Sequence, residues 1–235
     1  MTREEPEFVP PAEPEFVLDE ARAQRLGFGE AVFCAGKSPE QIAAILDAAR
    51  NPMLLTRLDP ERFAALPRSQ QDALDYDPAS RTAYSGDPAP VAGPAEVAVL
   101  TAGTSDVPVA REAARTLRFQ GQEARLIADV GVAGLWRLLR RVEDFRDMRV
   151  VIVAAGMDAA LPSVVGGLVG GVVIAVPTSV GYGVAAGGHA ALNAILASCA
   201  PGIVTVNIDN GYGAACAALR VIGKRLGRAP WNDAT

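Results

Sequence analysis

Cys199 stands in the stretch Ser198-Cys199-Ala200-Pro201-Gly202. Once ionised, a thiol is a soft nucleophile, and with a base in reach it forms a recognisable catalytic pair. A buried cysteine is also commonly an inert small hydrophobe, so the local sequence leaves both readings open. Cys216 lies in an Ala-rich helical stretch and reads as core, and Cys34 carries no stronger signal. Asp158 and Asp209 are candidate bases or, alternatively, helix caps. They border 50 residues without one Asp, Glu, Lys or Arg. A run that long without charge is expected to be buried. Inside it, after Gly187-Gly188, lies the only histidine of the chain, His189. It opens a helix and reads as a cap or core residue, with catalysis as the alternative. One histidine and scattered cysteines form no zinc-ligand set.

Gly103-Thr104-Ser105-Asp106 precedes a helix. Small hydroxyls and backbone N–H groups at a helix start suit a phosphate, and an ordinary N-cap explains them equally well. No Gly-Lys-Ser/Thr follows, so this is not a Walker A loop, nor is it a GxGxxG fingerprint. Gly181-Tyr182-Gly183 is either a lid or a Gly-rich turn.

The elements that must position these residues begin at Glu96. Short apolar runs alternate with amphipathic helices: strands at 96–101, 123–128, 149–154, 172–176 and 202–207, and helices at 107–120, 132–142, 159–169, 189–198 and 211–226. Five β-α repeats predict a parallel, doubly wound three-layer α/β sandwich. Ligands of such folds bind at the carboxyl ends of the strands. There the sequence places Thr101–Asp106, Ala155–Asp158, Pro177–Gly183 and Asn207–Gly211. Residues 18–92 are richer in charge and proline and read as a small N-terminal α+β domain with its linker, leaving 93–235 as the catalytic domain. Ser38-Pro39-Glu40-Gln41 predicts a capped helix to about Ala49. A strand is expected at 53–57 and a short helix from Asp59-Pro60, while Tyr76–Pro94 reads as a turn-rich link. Residues 1–17, with Glu-Pro-Glu-Phe-Val at 5–9 and again at 13–17, read as a disordered tail.

A net charge of -5 and a pI near 5.0 argue against nucleic acid as the main partner. Three cysteines without regular spacing give no disulfide framework and suggest a reducing, cytoplasmic compartment. The acidic, proline-rich N-terminus does not read as a secretory signal. Half of the residues are hydrophobic, with mean hydropathy +0.19. Gly and Pro nevertheless interrupt the uncharged run every few residues, so no membrane span is expected.

Taken together, Thr101–Asp106, Gly156–Gly167, Pro177–Gly183, Ser198–Gly202 and Asn207–Gly211 resemble the LarB family, whose C-terminal domain is similar to aminoimidazole ribonucleotide carboxylase/mutase (PurE). Arg25-Leu26-Gly27-Phe28 and Gly36–Gln41 extend the resemblance toward the N-terminus. It implies a flavodoxin-like PurE fold assembled as a homo-oligomer, a tetramer or octamer. It also implies carboxylation of the pyridinium ring of nicotinic acid adenine dinucleotide at C5, with CO2 or bicarbonate as co-substrate, and phosphoanhydride cleavage. The products would be AMP and pyridinium-3,5-biscarboxylic acid mononucleotide, the first intermediate of the nickel-pincer cofactor of lactate racemase. Cys199 matches the nucleophile of the family, and Asp158 is the expected base or thiol activator. Gly103, Thr104, Ser105, Asp106, Gly156, Met157, Thr178, Ser179, Gly181, Tyr182, Asn207, Asp209 and Asn210 are the expected substrate-binding positions. Mg2+ is expected only as an aid at the pyrophosphate, without a protein metal cage. Lys37, Arg57 and Arg81 are candidates for contacts to the adenylate.

The chain departs from the family at two positions. Asp158 stands where the family usually has Glu, which retracts the carboxylate by about 1.5 Å, a displacement that can cost about a hundredfold in rate. Cys34 stands where Gly is usual. Purine carboxylases carry a catalytic histidine in an Ala-Gly-Gly-Ala-Ala-His-Leu-Pro motif, and Ala160 occupies its place here, which disfavours the mutase chemistry. The alternatives are carboxylation of another nucleotide and a catalytically silent nucleotide-binding protein.

Overall fold

The computed structural model describes residues 15–91 and 93–223. The N-terminal part runs α1 (Arg22–Leu26), β1 (Ala31–Phe33), α2 (Pro39–Ala48), β2 (Met53–Thr56), α3 (Pro60–Ala64), α4 (Arg68–Ala73), β3 (Leu74–Asp77) and β4 (Thr82–Ser85). The start of α2 follows from its sequence. The Ser38 hydroxyl accepts from the Gln41 N–H at 3.2 Å, and the Gln41 side chain accepts from the Ser38 N–H at 3.0 Å. This reciprocal cap satisfies two donors that the helix leaves unpaired. Asp59 caps α3 through the Arg62 N–H at 2.8 Å.

The four strands form a mixed sheet in the order β1-β2-β4-β3. β2 is buried throughout. Leu55 packs with Ile42, Ile45 and Leu58 on one side, and Leu54 meets Tyr84 and Phe119 on the other. Two expectations change here. Residues 76–94 are not simply a link, since β3 and β4 pair as a hairpin and β4 joins β2. Phe16, expected in a tail, packs on the N-terminal core beside Leu18. The first Glu-Pro-Glu-Phe-Val copy and Leu226, the expected end of the last helix, lie outside the described residues, and that helix ends at Ile222.

The second sheet contains β5 (Val97–Thr101), β6 (Ala124–Ile127), β7 (Val150–Ala155), β8 (Val172–Pro177) and β9 (Val204–Thr205), all parallel, in the order β6-β5-β7-β8-β9. The helices are α5 (Val107–Phe119), α6 (Leu135–Arg141), α7 (Ala160–Gly166), α8 (His189–Leu196) and α9 (Gly211–Ile222). Residues of α5 and α9 pack on one face with Val97, Val99, Ile152 and Ile174. Residues of α6, α7 and α8 cover Leu100, Val151 and Val153 on the other. This is the expected three-layer flavodoxin-like sandwich. Its strand order reverses between β5 and β7, and in open α/β sheets the ligand crevice lies at such a reversal.

The burial expected of the uncharged run is only half met. β8 is buried, but Tyr182 is 77% exposed, Val184 99% and Leu196 69%. The last strand is only two residues long instead of the expected six. Among the described residues, no helix is long and apolar enough to cross a membrane.

Ile152 sits at the centre of β7 with no exposed surface. Ile152→Ala is expected to lower the unfolding free energy by about 2–5 kcal/mol. Urea denaturation at matched protein concentration checks this, and an unchanged midpoint would contradict the assigned core.

Candidate active site

Three connections meet at the reversal point: residues 102–106 after β5, residues 156–159 after β7 and residues 178–188 after β8. A buried carboxylate joins them. Asp106 is 2% exposed. One of its oxygens accepts from the Thr178 hydroxyl at 2.6 Å, and the other accepts from the Gly103 N–H at 2.9 Å. The Gly156 N–H also faces this carboxylate and favours its charged form. Gly156 leaves room for this convergence, because a Cβ there would lie 2.2 Å from the Val180 carbonyl and 2.7 Å from the Thr178 hydroxyl. Asp106 and Thr178, expected to bind substrate, are therefore engaged with the chain itself. They set the loops in place, and the exposed Thr104 and Ser105 form the rim.

A second carboxylate repeats the device at β9. The Asp209 N–H donates to the Pro177 carbonyl at 2.8 Å, and its carboxylate accepts from the Ser179 N–H at 2.8 Å. Asn210 caps α9 by accepting from the Gly213 N–H at 2.7 Å. The Asn207 side chain accepts from the Ile208 N–H at 2.8 Å. Met157, Ala159 and Asp209 all have positive φ, at 55°, 45° and 55°. Such backbone is unfavourable for residues with a Cβ and persists where surrounding contacts impose it.

Asp158 is exposed at this edge, and its carboxylate makes only a long 3.4 Å contact to the Ala160 N–H. His189 is exposed as the first residue of α8, behind Gly188. Tyr182 is exposed in the loop, beyond Gly181. Among the described residues, no group of three or more His, Cys, Asp or Glu side chains is placed to hold a metal ion.

Cys199 does not join this cluster within one chain. It lies in the α8–β9 connection, and parallel topology brings that connection toward the amino ends of the strands, whereas Asp158 lies in a β–α connection at the carboxyl ends. Its neighbour Ser198 shares a hydrogen bond with Ser163 on α7 at 2.6 Å. Cys199 is exposed, and among the described residues it has no hydrogen-bond partner. The expected pairing of Cys199 with Asp158 is thus not made inside one copy of the chain.

Sequence reasoning missed Glu112, which is 4% exposed on α5. Its carboxylate faces the Gly211 and Tyr212 N–H groups, which favour its charged form, and lies 3.4 Å from the Arg57 guanidinium. Arg57 also donates to the Asp209 carbonyl. Of the three N-terminal candidates, Arg57 is therefore at this edge. Arg81 is exposed in the β3–β4 turn, and Lys37 lies in the loop before α2, where its carbonyl accepts from Arg62.

Burial pushes the Asp106 carboxyl above its ordinary value. Bonds from Thr178, Gly103 and Gly156 oppose that rise, and the nearby Asp209 adds to it. A carboxyl raised in this way stabilises the fold below its unfolded pKa, and the contribution is lost as pH rises through the folded value. Asp106→Asn cannot ionise. The stability of the natural chain relative to Asp106→Asn is expected to fall as pH rises from about 4 toward neutrality. Burial also raises Glu112, but that residue is common to both proteins and cancels. Urea midpoints across this range test the trend, and a flat or rising difference would contradict it.

The model of the LarB/PurE-like N-terminal domain matches residues 15–86, and the AIR carboxylase model matches residues 96–228. A relative in Methanocaldococcus jannaschii, named Uncharacterized protein MJ0165, is 50% identical over 123 residues, covering 51% of this chain and 46% of that protein. The matched region thus spans about half the length of that relative. A crystal structure of a Treponema denticola PurE2 variant is 24% identical with a TM-score of 0.44, covering 53% of this chain and 77% of that one. The AIR carboxylase match takes in more than half of the chain, and the N-terminal match precedes it. The chain belongs to the LarB family, with a LarB/PurE-like N-terminal domain followed by a PurE-like AIR carboxylase domain.

Proposed function

We propose that the protein is a carboxylase that converts nicotinic acid adenine dinucleotide to pyridinium-3,5-biscarboxylic acid mononucleotide and AMP. The observation that carries this reading is Cys199: an exposed thiol in the Ser198–Gly202 motif, set in a surrounding sequence without charge.

A pyridinium ring is electron-poor and does not attack CO2. The Cys199 thiolate adds to ring C4, forming a C–S bond and moving an electron pair into the ring, which becomes a dihydropyridine nucleophilic at C5. C5 then attacks CO2 and forms the new C–C bond. A base takes the C5 proton, the C–S pair returns to sulfur, and the aromatic ring is restored. Water cleaves the phosphoanhydride and releases AMP. Cysteine suits both ends of this sequence, as nucleophile and as leaving group. Asp158 is the exposed carboxylate available as the base.

In this reading the site is made by two copies, the Cys199 loop of one meeting the Asp158 edge of another. The exposed apolar residues Tyr182, Val184, Leu196 and Val204 support such an assembly, because unburied apolar surface of this kind is usually covered by a partner. Any Mg2+ would enter with the pyrophosphate. Among the described residues no cage for it is formed, and no step above passes through a metal.

The test is incubation of the full chain with nicotinic acid adenine dinucleotide, bicarbonate and Mg2+, following AMP and the carboxylated product by mass. Cys199→Ala is expected to lower turnover about a thousandfold or more and to abolish a covalent adduct seen by intact mass. Co-assembled Cys199→Ala and Asp158→Asn chains should regain activity that neither shows alone. Full activity of Cys199→Ala, or turnover only of a purine ribonucleotide, would overturn the reading.

A further inference from the structure

Arg57 follows β2 with a φ of 56°, in the left-handed region that arginine rarely adopts. The backbone turn sends its side chain out of the N-terminal sheet and across to the second domain. The guanidinium makes two contacts there. Nε lies 3.4 Å from a carboxylate oxygen of Glu112, and Nη2 donates to the backbone carbonyl of Asp209. The side chain is 26% exposed and that of Glu112 is 5% exposed, so water screens the pair poorly.

The two acceptors are not independent. The Glu112 carboxylate also faces the N–H groups of Gly211 and Tyr212, which favour its charged form, so it sits against the first turn of α9. A Cβ on Gly211 would come within 2.9 Å of the Glu112 carboxylate and 2.3 Å of the Val109 carbonyl, so the approach leaves no slack. Asp209 precedes that turn in its own left-handed conformation and ties down Pro177 and Ser179. One planar cation with several donors thus bridges the side chain that anchors α9 and the carbonyl of the loop before it. Lysine, with a single point of charge, cannot reproduce this geometry.

We propose that Arg57 is a positioning residue through which the N-terminal domain sets the Asp209 loop, and with it the Pro177–Ser179 wall of the substrate crevice. This rests on the reading that the carboxyl edge of the second sheet receives the substrate. The other ion pairs between the domains do not reach that edge. Arg111 donates to both oxygens of Asp77 at 3.0 and 2.9 Å, and Arg115 bonds Thr82 and Asp75. They join the domains, whereas Arg57 latches a loop.

The experiment compares Arg57→Ala, Arg57→Lys and, as a domain-joining control, Arg111→Ala in the full chain. Amide hydrogen exchange without substrate is expected to rise roughly tenfold or more at Ser179, Gly211 and Tyr212 in Arg57→Ala. It should rise less in Arg57→Lys and stay unchanged at those amides in Arg111→Ala. With nicotinic acid adenine dinucleotide, Arg57→Ala should raise KM by about tenfold while changing kcat less. Equal exchange profiles for Arg57→Ala and Arg111→Ala, or full protection of Ser179 and Gly211 in both Arg57 variants, would overturn the proposal. Should the natural chain not turn over the dinucleotide while the exchange pattern holds, the substrate assignment fails and the latch stands.

Discussion

The carboxyl edge of the larger sheet depends on one buried carboxylate. Asp106 accepts from Gly103 and Thr178 and faces the Gly156 N–H, and so draws together the loops that follow β5, β7 and β8. An ion or water could satisfy the same N–H groups, but a side chain fixed at the start of α5 holds them at constant spacing. Burying a carboxylate is unfavourable unless its acceptors are filled, and the bonds from Gly103 and Thr178 meet that need in part. The rise in its proton affinity shows that the balance is incomplete. Its removal would release three loops at once.

Strain collects at the same edge. Of the six non-glycine residues with positive φ among the described residues, Met157, Ala159 and Asp209 lie in the loops just described, Arg57 reaches into them, and Asp129 follows β6. Asp129 is held there by a 3.1 Å bond from its N–H to the Thr101 hydroxyl and by Arg137. Unfavourable backbone survives only where other contacts over-determine it. In this protein those contacts are carboxylate-to-amide bonds across the loops and the Arg57 bridge. The edge is therefore built for fixed geometry, as a site needs when it must hold reacting groups at set distances.

Much of this was legible in the sequence. Apolar runs alternating with amphipathic helices gave all five parallel strands and the right layers, because strands buried on both faces carry little besides Val, Ile, Ala and Leu. The N-terminal hairpin was hidden for the opposite reason. β3 reads Leu-Asp-Tyr-Asp, half-buried at a sheet edge, and its pairing with β4 has no apolar signature to distinguish it from a link. The role of Asp106 was hidden by distance. Its partner Thr178 is 72 residues away, and no local pattern separates a helix cap from a tie between loops. Glu112 was hidden in a helix whose charged residues all look solvent-facing until the N-terminal domain is placed on it.

Cys199 shows how far a motif reaches without topology. Five ordered motifs place the thiol among site residues, yet the β-α alternation that those motifs share puts it in an α–β connection. In a parallel sheet, connections of that kind and of the β–α kind approach opposite ends of the strands. If the proposed thiol attack takes place at the carboxyl edge, the thiol must come from a second copy of the chain. The uncharged stretch around it fits that requirement. Tyr182, Val184, Leu196 and Val204 stay exposed in one copy, although their sequence reads as interior. A composition suited to burial and the separation of Cys199 from Asp158 both follow if this stretch is the face on which copies meet.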